Sequence, residues 1–120
     1  FSMGCGRVFE GSMQDMWTSL ARLRDLPDAT LVCCGHEYTA SNARYVAHLG
    51  WNPPALASHL AEIAAATSKA EPTVPFQLGR EKATNPFLNA DDPALADALA
   101  QASTDPVAVF TALRQGKDSF

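Results

Sequence analysis

The sequence lacks any apolar run close to the ~18 residues that a membrane-spanning helix requires. It also lacks the basic segment and apolar core of a signal peptide at its start. The net charge is -4, and charges of both signs are scattered along the chain. Nucleic acid is therefore not indicated as the main partner, because phosphate binding needs a basic patch. No membrane association is expected either, whereas a local basic pocket for a small anion is compatible with this charge.

Cysteine is scarce and badly placed for cross-linking. Cys33 and Cys34 are adjacent and Cys5 is alone, so the sequence carries no disulfide framework. No Cys-x-x-Cys occurs, which argues against a thiolate zinc site. We expect a reducing, cytoplasmic location. The opening stretch, "FSMGCGRVFEG", is typical of an internal part of a fold, so we expect a fragment of a longer protein.

The first third of the chain predicts strand, helix and strand. "FSMGCG" indicates the end of a strand that runs into a loop. A helix is expected between Ser12, a candidate N-cap, and Pro27, which would stop it. "TLVCC" is a short apolar run without alternation, which is typical of a strand covered on both faces. This order is that of a layered α/β unit.

Beyond residue 38 the spacing predicts helices. The start and stop signals are Gly50 as a C′ residue, Asn52-Pro53, Asp92-Pro93 and Asp105-Pro106 as helix starts, and Gly116 near the last helix end. "EPTVPFQLGREKATNPFL" contains prolines that predict an irregular crossing. The expected fold is α+β and mostly helical, with one domain at residues 1–38 and a helical domain at residues 39–120.

Histidine is the first candidate for chemistry. His36 follows an apolar run and a glycine, a position where α/β proteins place reactive groups. It could be a metal ligand, a catalytic base, or an ordinary side chain at a strand end. A lone histidine cannot make a zinc site, which needs about three or four protein ligands. His48 and His59 form no His-x-x-x-His pair and are interpreted as surface residues.

The residues around His36 and the glycine-rich stretch leave several alternatives open. Glu37 could be a general base or a solvated carboxylate, and Tyr38 could donate its hydroxyl to a ligand or pack its ring. "GCGR", Gly4–Arg7, either lets backbone amides approach a ligand or forms a tight turn with positive φ. Cys5 could be a nucleophile with His36 as its base, or a small buried side chain.

Two cations lie near the C-terminal end of the last predicted helix. Arg114 and Lys117 are three residues apart, so both can lean to one side. The helix dipole alone favours cations there by about 0.3–1 kcal/mol. The functional alternative is a two-pronged clamp for a carboxylate.

Four stretches together resemble a known family: "GCGRVFEG", "CGHEYTASNARY", "PTVPFQLGREKATNPFL" and "RQGKDSF". They are similar to glyoxalase II, or hydroxyacylglutathione hydrolase, of the metallo-β-lactamase superfamily, over nearly the whole chain. The superfamily's His-x-His-x-Asp-His motif is absent from this chain. The resemblance implies that residues 1–38 end an αββα metallo-β-lactamase domain and that residues 39–120 form the helical C-terminal domain.

The resemblance also implies an activity. The family hydrolyses S-D-lactoylglutathione to glutathione and D-lactate in methylglyoxal detoxification, at two divalent metal ions that are zinc, iron or manganese. His36 matches a ligand of the second metal, and the other ligands would precede Phe1. The fragment alone is therefore expected to be inactive. The full-length enzyme is expected to be a monomer. An isolated fragment could self-associate through exposed Leu31 and Val32.

The glutathione contacts implied by the resemblance lie in three places: Arg7, Val8 and Phe9 in one loop, His36, Glu37 and Tyr38 in a second, and Arg114 with Lys117 for the glycine carboxylate of glutathione. Some relatives carry Tyr where Phe9 stands. Two rival interpretations remain. The first is another metallo-β-lactamase branch, such as a persulfide dioxygenase or a β-lactamase. These branches generally lack the helical tail, so the stretch "RQGKDSF" argues against them. A stand-alone, non-enzymatic helical binding module is the second rival.

Overall fold

The computed structural model describes residues 1–120 and is mostly helical. Along the chain the elements are α1 (Met13–Arg24), β1 (Leu31–Val32), α2 (Thr39–His48), α3 (Leu56–Ser68), β2 (Phe76–Gln77), α4 (Leu78–Thr84), a 3-10 helix (Pro86–Leu88), α5 (Pro93–Ala98) and α6 (Pro106–Ser119). β1 and β2 pair antiparallel, with Leu31 opposite Gln77. The predicted α+β, mostly helical class is confirmed. None of the helices combines the length and apolar character that crossing a membrane demands.

Three helix starts follow the local capping chemistry that the sequence predicts. Ser12 Oγ accepts a hydrogen bond from the backbone N–H of Asp15 at 3.1 Å, and the Asp15 carboxylate accepts one from the backbone N–H of Ser12 at 2.9 Å. Asp92 and Asp105 each accept from a backbone N–H in the first turn of their helix, at 2.9 and 3.0 Å. These contacts satisfy donors that a helix start leaves unpaired.

The predicted start of α3 at Asn52 is wrong. The N-cap is Ala55, because Pro54 and Ala55 form a turn in which Leu56 N–H donates to the Pro53 carbonyl at 3.0 Å. The Asn52 amide instead donates back to the carbonyl of Gly50 at 3.0 Å. Gly50 itself has φ +76°, as expected of a residue that ends a helix.

The predicted end of the last helix near Gly116 is also wrong, since α6 continues to Ser119. A Cβ at Gly116 would lie 2.5 Å from Tyr45 Oη, and that hydroxyl donates to the Leu113 carbonyl at 2.8 Å. Gly116 therefore allows α2 to approach α6 closely and does not serve as a stop signal.

Two strand predictions need correction. "TLVCC" is not a strand covered on both faces: only Leu31 and Val32 pair, and Leu31 is 60% exposed. "FSMGCG" contains no strand, and Ser2 and Met3 are buried instead. The predicted irregular crossing is wrong in part, because it holds β2, α4 and the 3-10 helix.

The hydrophobic core is one cluster to which all six α-helices and the 3-10 helix contribute, and its aromatic part lies between α1, α6 and the 3-10 helix. Trp17 of α1 and Phe110 of α6 have ring centroids 6.3 Å apart, and Phe87 meets Phe110 edge-on at 6.1 Å. Aromatic pairs at these separations add to the gain from burial. The domain boundary predicted after residue 38 stays a prediction. Across that position, α1 packs on α6 and β1 pairs with β2.

Candidate functional site

One cavity of about 640 Å³ brings together side chains from distant parts of the sequence. Its wall comes from residues 1–9, the loop between β1 and α2, the first turn of α2 and the last turns of α6. The predicted site residues that line it are Arg7, Phe9, His36, Tyr38, Arg114 and Lys117. This volume lies in the ~300–1,000 Å³ range of small-molecule pockets.

His36 and Tyr38 form the aromatic side of this cavity. Their rings are parallel within 4°, with centroids 4.9 Å apart. Both side chains are exposed, so both present polar atoms to a ligand. The loop before α2 is thus arranged so that an imidazole and a phenol face the same space.

The chain does not make a metal centre by its own side chains. No group of three or more His, Cys, Asp or Glu residues is arranged to hold a metal ion. His36 is the one imidazole in the cavity wall, and a single donor does not fix a transition metal. The residues present therefore do not fit a complete metal site, and His36 is the candidate ligand that the resemblance indicates.

Arg114 is buried and committed to the protein. Its side chain lies over the Phe87 ring, 5.2 Å from the centroid, and the residue is only 4% exposed. Nη1 donates to the Cys5 carbonyl at 2.7 Å and Nη2 to Asp118 at 3.0 Å. Nε is buried without a partner. Arg114 thus fixes the cavity wall through its contacts with Cys5 and Asp118.

Asp118 joins two of the cations. Its carboxylate accepts from Arg114 and lies 3.4 Å from Arg7 Nε. The Arg7 side chain is 64% exposed, so its guanidinium remains available to a ligand. One carboxylate therefore holds two guanidinium groups at the same side of the cavity.

Lys117 lies beside this pair of arginines. Its ammonium is 5.9 Å from the centroid of the Tyr45 ring. Partial burial lowers the pKa of Lys117, and repulsion from Arg114 and Arg44 lowers it further. An anion in the cavity would reduce this repulsion and raise that pKa. The electrostatics of the site therefore favour a negatively charged ligand.

Val8 and Glu37 are predicted site residues that do not line the cavity. The Glu37 carboxylate accepts from Thr73 N at 2.7 Å and Thr73 Oγ1 at 2.8 Å, and from Val74 N at 3.2 Å. These bonds hold the pKa of Glu37 below its ordinary value. Its visible role is to attach the loop before β2 to the segment that carries His36.

Cys5 is not an activated nucleophile. Burial raises the pKa of its thiol, although Arg114 opposes that effect. A raised pKa leaves the thiol protonated near neutrality, and the thiolate is the reactive form.

Of the two glycines around Cys5, only Gly4 has a packing role. Gly4 and Gly6 lack positive φ, so the tight-turn alternative is wrong. A Cβ at Gly4 would lie 2.7 Å from Asn42 Nδ2, whereas a Cβ at Gly6 would meet open space.

Several cavity residues escaped the sequence analysis. Ser41 and Asn42 lie in the first turn of α2 and line the cavity, as do Ser2 and Cys34. The available signal was helical spacing, because Ser41 and Asn42 stand three and four residues after Tyr38.

The interpretation of His59 as a surface residue is wrong. It is 8% exposed, and its Nδ1 lies 2.7 Å from Thr84 Oγ1. The Thr84 hydroxyl donates to the Arg80 carbonyl at 2.8 Å, so the geometry assigns the His59 proton to Nδ1. Burial lowers the pKa of His59, and Arg80 lowers it further, which makes this histidine a neutral part of the core.

Comparison with known proteins gives a consistent result. A family model described as hydroxyacylglutathione hydrolase C-terminus matches residues 37–120. Proteins named hydroxyacylglutathione hydrolase from Erythrobacter litoralis, Rhodopseudomonas palustris and Ruegeria pomeroyi are 51%, 48% and 49% identical to the chain. These matches cover 100%, 98% and 99% of this chain but 47%, 46% and 47% of the relatives. The chain thus spans about half the length of the curated relatives it matches.

The resemblance to glyoxalase II found in the sequence is confirmed at the level of the family. The family model begins at Glu37, directly after His36, and covers all of α2 to α6 and both C-terminal cations. This chain therefore belongs to the family described as hydroxyacylglutathione hydrolase C-terminus.

Proposed function

We propose that this chain forms the glutathione-binding part of a metal-dependent thioester hydrolase. The full-length protein would cleave S-D-lactoylglutathione, and related S-2-hydroxyacylglutathiones, to glutathione and the hydroxy acid. The observation that carries the proposal is the cavity in which Arg7, Phe9, His36, Tyr38 and Lys117 meet, with Arg114 in its wall. The names of the relatives support the same reaction.

Charge complementarity supports a glutathione ligand. Glutathione carries two carboxylates, and the cavity presents the guanidinium of Arg7 and the ammonium of Lys117 beside buried Arg114. Charge-assisted hydrogen bonds to carboxylates are the strong ones, and each is worth about 1.5–3 kcal/mol. A chain with net charge -4 has no general attraction for anions, so the attraction must be local.

The division of labour follows from the position of these cations. They bind the peptide portion of the substrate, which does not react, and so hold the thioester at the His36 side of the cavity. Binding energy from a remote portion of a substrate fixes the reacting carbonyl in place. Tyr38 and Phe9 contribute flat surfaces against the peptide, while Glu37 holds the loop that carries His36 through its bonds to Thr73 and Val74.

His36 is the proposed ligand of a metal centre whose other ligands lie outside these 120 residues. Zinc, iron and manganese are the candidate ions, and two would be bound in the full-length enzyme. This chain alone does not hold a metal site. We further propose a cytoplasmic, monomeric enzyme in which residues 1–38 complete the metallo-β-lactamase domain and residues 39–120 form the helical one.

The decisive experiment measures hydrolysis of S-D-lactoylglutathione by the full-length protein and by its Lys117→Ala variant. We expect the wild type to cleave the thioester and the variant to raise KM about tenfold, with kcat within about twofold. A loss of one charge-assisted contact of ~1.4 kcal/mol corresponds to that factor. Lys69→Ala is the matched control, because Lys69 is exposed at the end of α3 and does not line the cavity.

Two results would contradict the proposal. Hydrolysis of a β-lactam without hydrolysis of the glutathione thioester would favour another branch of the superfamily. A collapse of kcat with KM unchanged in Lys117→Ala would show that Lys117 does not bind the remote part of the substrate.

A further inference from the structure

Residues 2–5, called the 2–5 segment below, lie against the helices in an unusual way. The segment belongs to no helix or strand, and no backbone group in it bonds to another backbone group. Two of its residues, Ser2 and Met3, are nevertheless 5% and 0% exposed. Buried backbone groups need partners, so side chains must supply them.

Four side chains from three helical regions supply these partners, one for each successive residue. Asn42 Nδ2 donates to Ser2 O at 2.9 Å, Met3 N donates to both Glu81 oxygens at 3.1 and 3.0 Å, Asn85 Nδ2 donates to Gly4 O at 2.9 Å, and Arg114 Nη1 donates to Cys5 O at 2.7 Å. The helices therefore determine the path of the segment residue by residue.

Glu81 and Asn85 form the centre of this arrangement. They are 1% and 0% exposed, and Asn85 Nδ2 also donates to Glu81 Oε2 at 2.7 Å. Asn85 Oδ1 accepts from Phe87 N at 2.9 Å, which fixes the amide orientation. Met3 has φ +55°, a conformation that a residue other than glycine keeps only when its surroundings impose it.

The 2–5 segment leads directly into the cavity wall. Cys5, Gly6 and Arg7 follow one another along the cavity, and Phe9 completes the same stretch. Arg7 is held from outside the segment only by the 3.4 Å contact to Asp118. Its place in the cavity therefore depends on where the 2–5 segment ends.

We propose that Glu81 and Asn85 are positioning residues for the ligand: by holding Met3 and Gly4, they set where Arg7 and Phe9 stand in the cavity. The ligand's identity as a glutathione thioester rests on the function proposed above. A buried carboxylate is costly, and an apolar pair of the same size would often give equal or greater stability. The pair provides directional bonds to two successive backbone groups, which apolar side chains cannot provide.

The first test needs no ligand. Hydrogen exchange of the peptide covering residues 1–9 is measured in the full-length protein and in its Asn85→Asp variant. The variant keeps the acceptor for Phe87 N but loses the donor to Gly4 and places a second carboxylate beside Glu81. We expect exchange in this peptide to be at least tenfold faster, and unchanged protection would overturn the proposal.

The second test separates positioning from stability. The double variant Glu81→Gln with Asn85→Asp restores a donor–acceptor pair between the two side chains, but Gly4 O still lacks its donor. We expect the thermal midpoint to recover most of the loss seen in Asn85→Asp, while KM for S-D-lactoylglutathione stays at least fivefold raised and kcat stays within about twofold. If KM returned together with the thermal midpoint, the pair would be structural only and the proposal would fall.

Asn89→Asp is the matched control. The Asn89 amide donates to the carbonyls of Lys82 and Asn85 at 2.9 and 2.7 Å and does not touch the 2–5 segment. We expect no change of KM in this variant, and an equal rise would overturn the proposal. If the wild type neither bound nor cleaved the glutathione thioester, the proposed function would fail, and the exchange test alone would decide the role of the pair.

Discussion

The carboxylate of Glu81 is expected to make this fold less stable as the pH rises from acid to neutral. Burial raises its pKa from 4.5 to about 7, against the opposing effect of the donors Asn85 and Met3. The folded protein therefore holds the Glu81 proton more tightly than the unfolded chain does. The stabilisation is complete below pH 4.5, decreases as the pH rises, and is lost once the pH has passed through about 7.

The size of this effect follows from the same two values. One pKa unit corresponds to ~1.4 kcal/mol, so the rise from 4.5 to about 7 corresponds to about 3 kcal/mol. That is a large part of the ~5–15 kcal/mol by which domains of this size are stable. The perturbation to make is Glu81→Gln, which cannot ionise and which keeps an acceptor for Asn85 Nδ2 and Met3 N.

The assay is urea unfolding of the 120-residue chain and of the Glu81→Gln variant, at pH values from about 4 to 8. The free energy difference between wild type and variant should change by about 3 kcal/mol across this range, in favour of the variant at high pH. Using the difference cancels the contributions of the other carboxylates, which both proteins share.

Glu62→Gln is the matched control on an exposed site. The bond to Arg80 lowers the pKa of Glu62, so the contribution of that carboxylate is present above its ordinary pKa of 4.5 and is lost as the pH falls. The control therefore has the opposite sign. Parallel stability curves for wild type and Glu81→Gln between pH 4.5 and 7.5 would refute the reasoning about the buried carboxylate.

Three further outcomes are expected. Gly116→Ala should destabilise the fold by about 1–3 kcal/mol in thermal or urea unfolding, because the new Cβ would lie 2.5 Å from Tyr45 Oη. This clash should outweigh the higher helix propensity of Ala. Tyr45→Phe in the same background should restore most of the lost stability. Ser12→Ala should cost about 1 kcal/mol in the same assay, with the pKa of Asp15 rising toward its ordinary value in an NMR titration. The 120-residue chain with added zinc should show no thioester hydrolysis above background, since it holds no metal site; clear turnover would contradict the proposed division of labour.

The helix starts could be predicted because their chemistry is local. Ser12, Asp92 and Asp105 each bond within three residues of themselves, so the sequence contains the whole interaction. The start of α3 could not be placed by the same rule. Two successive prolines and a turn move the helix start to a later residue, and the Asn52 amide donates to the Gly50 carbonyl instead of capping the helix.

Interactions that depend on distant residues could not be predicted. Gly116 reads as a helix stop unless the approach of Tyr45 is known, and His59 reads as exposed unless Thr84 is placed beside it. Glu81 is the clearest example, because a charged residue on a short helix is ordinarily solvated, and its partner Met3 is 78 residues away.

The candidate site was accessible to sequence reasoning in a particular way. Taken singly, the residues did not distinguish a functional from a structural role, because His36 and Arg114 each had an ordinary structural explanation. The resemblance identified them, and the structure places both at one cavity. The resemblance could not reveal that Arg114 is nearly inaccessible to solvent, because its burial depends on contacts with Phe87 and Cys5.

Asp118 occupies the two guanidinium groups before any ligand arrives. A carboxylate that enters the cavity must share Arg7 with this resident anion, so only part of the attraction of that cation remains for it. Under the proposed function, this sharing would keep the affinity for the glutathione carboxylate moderate and ease the departure of the peptide product. In the empty cavity, Asp118 partly neutralises the two guanidinium groups.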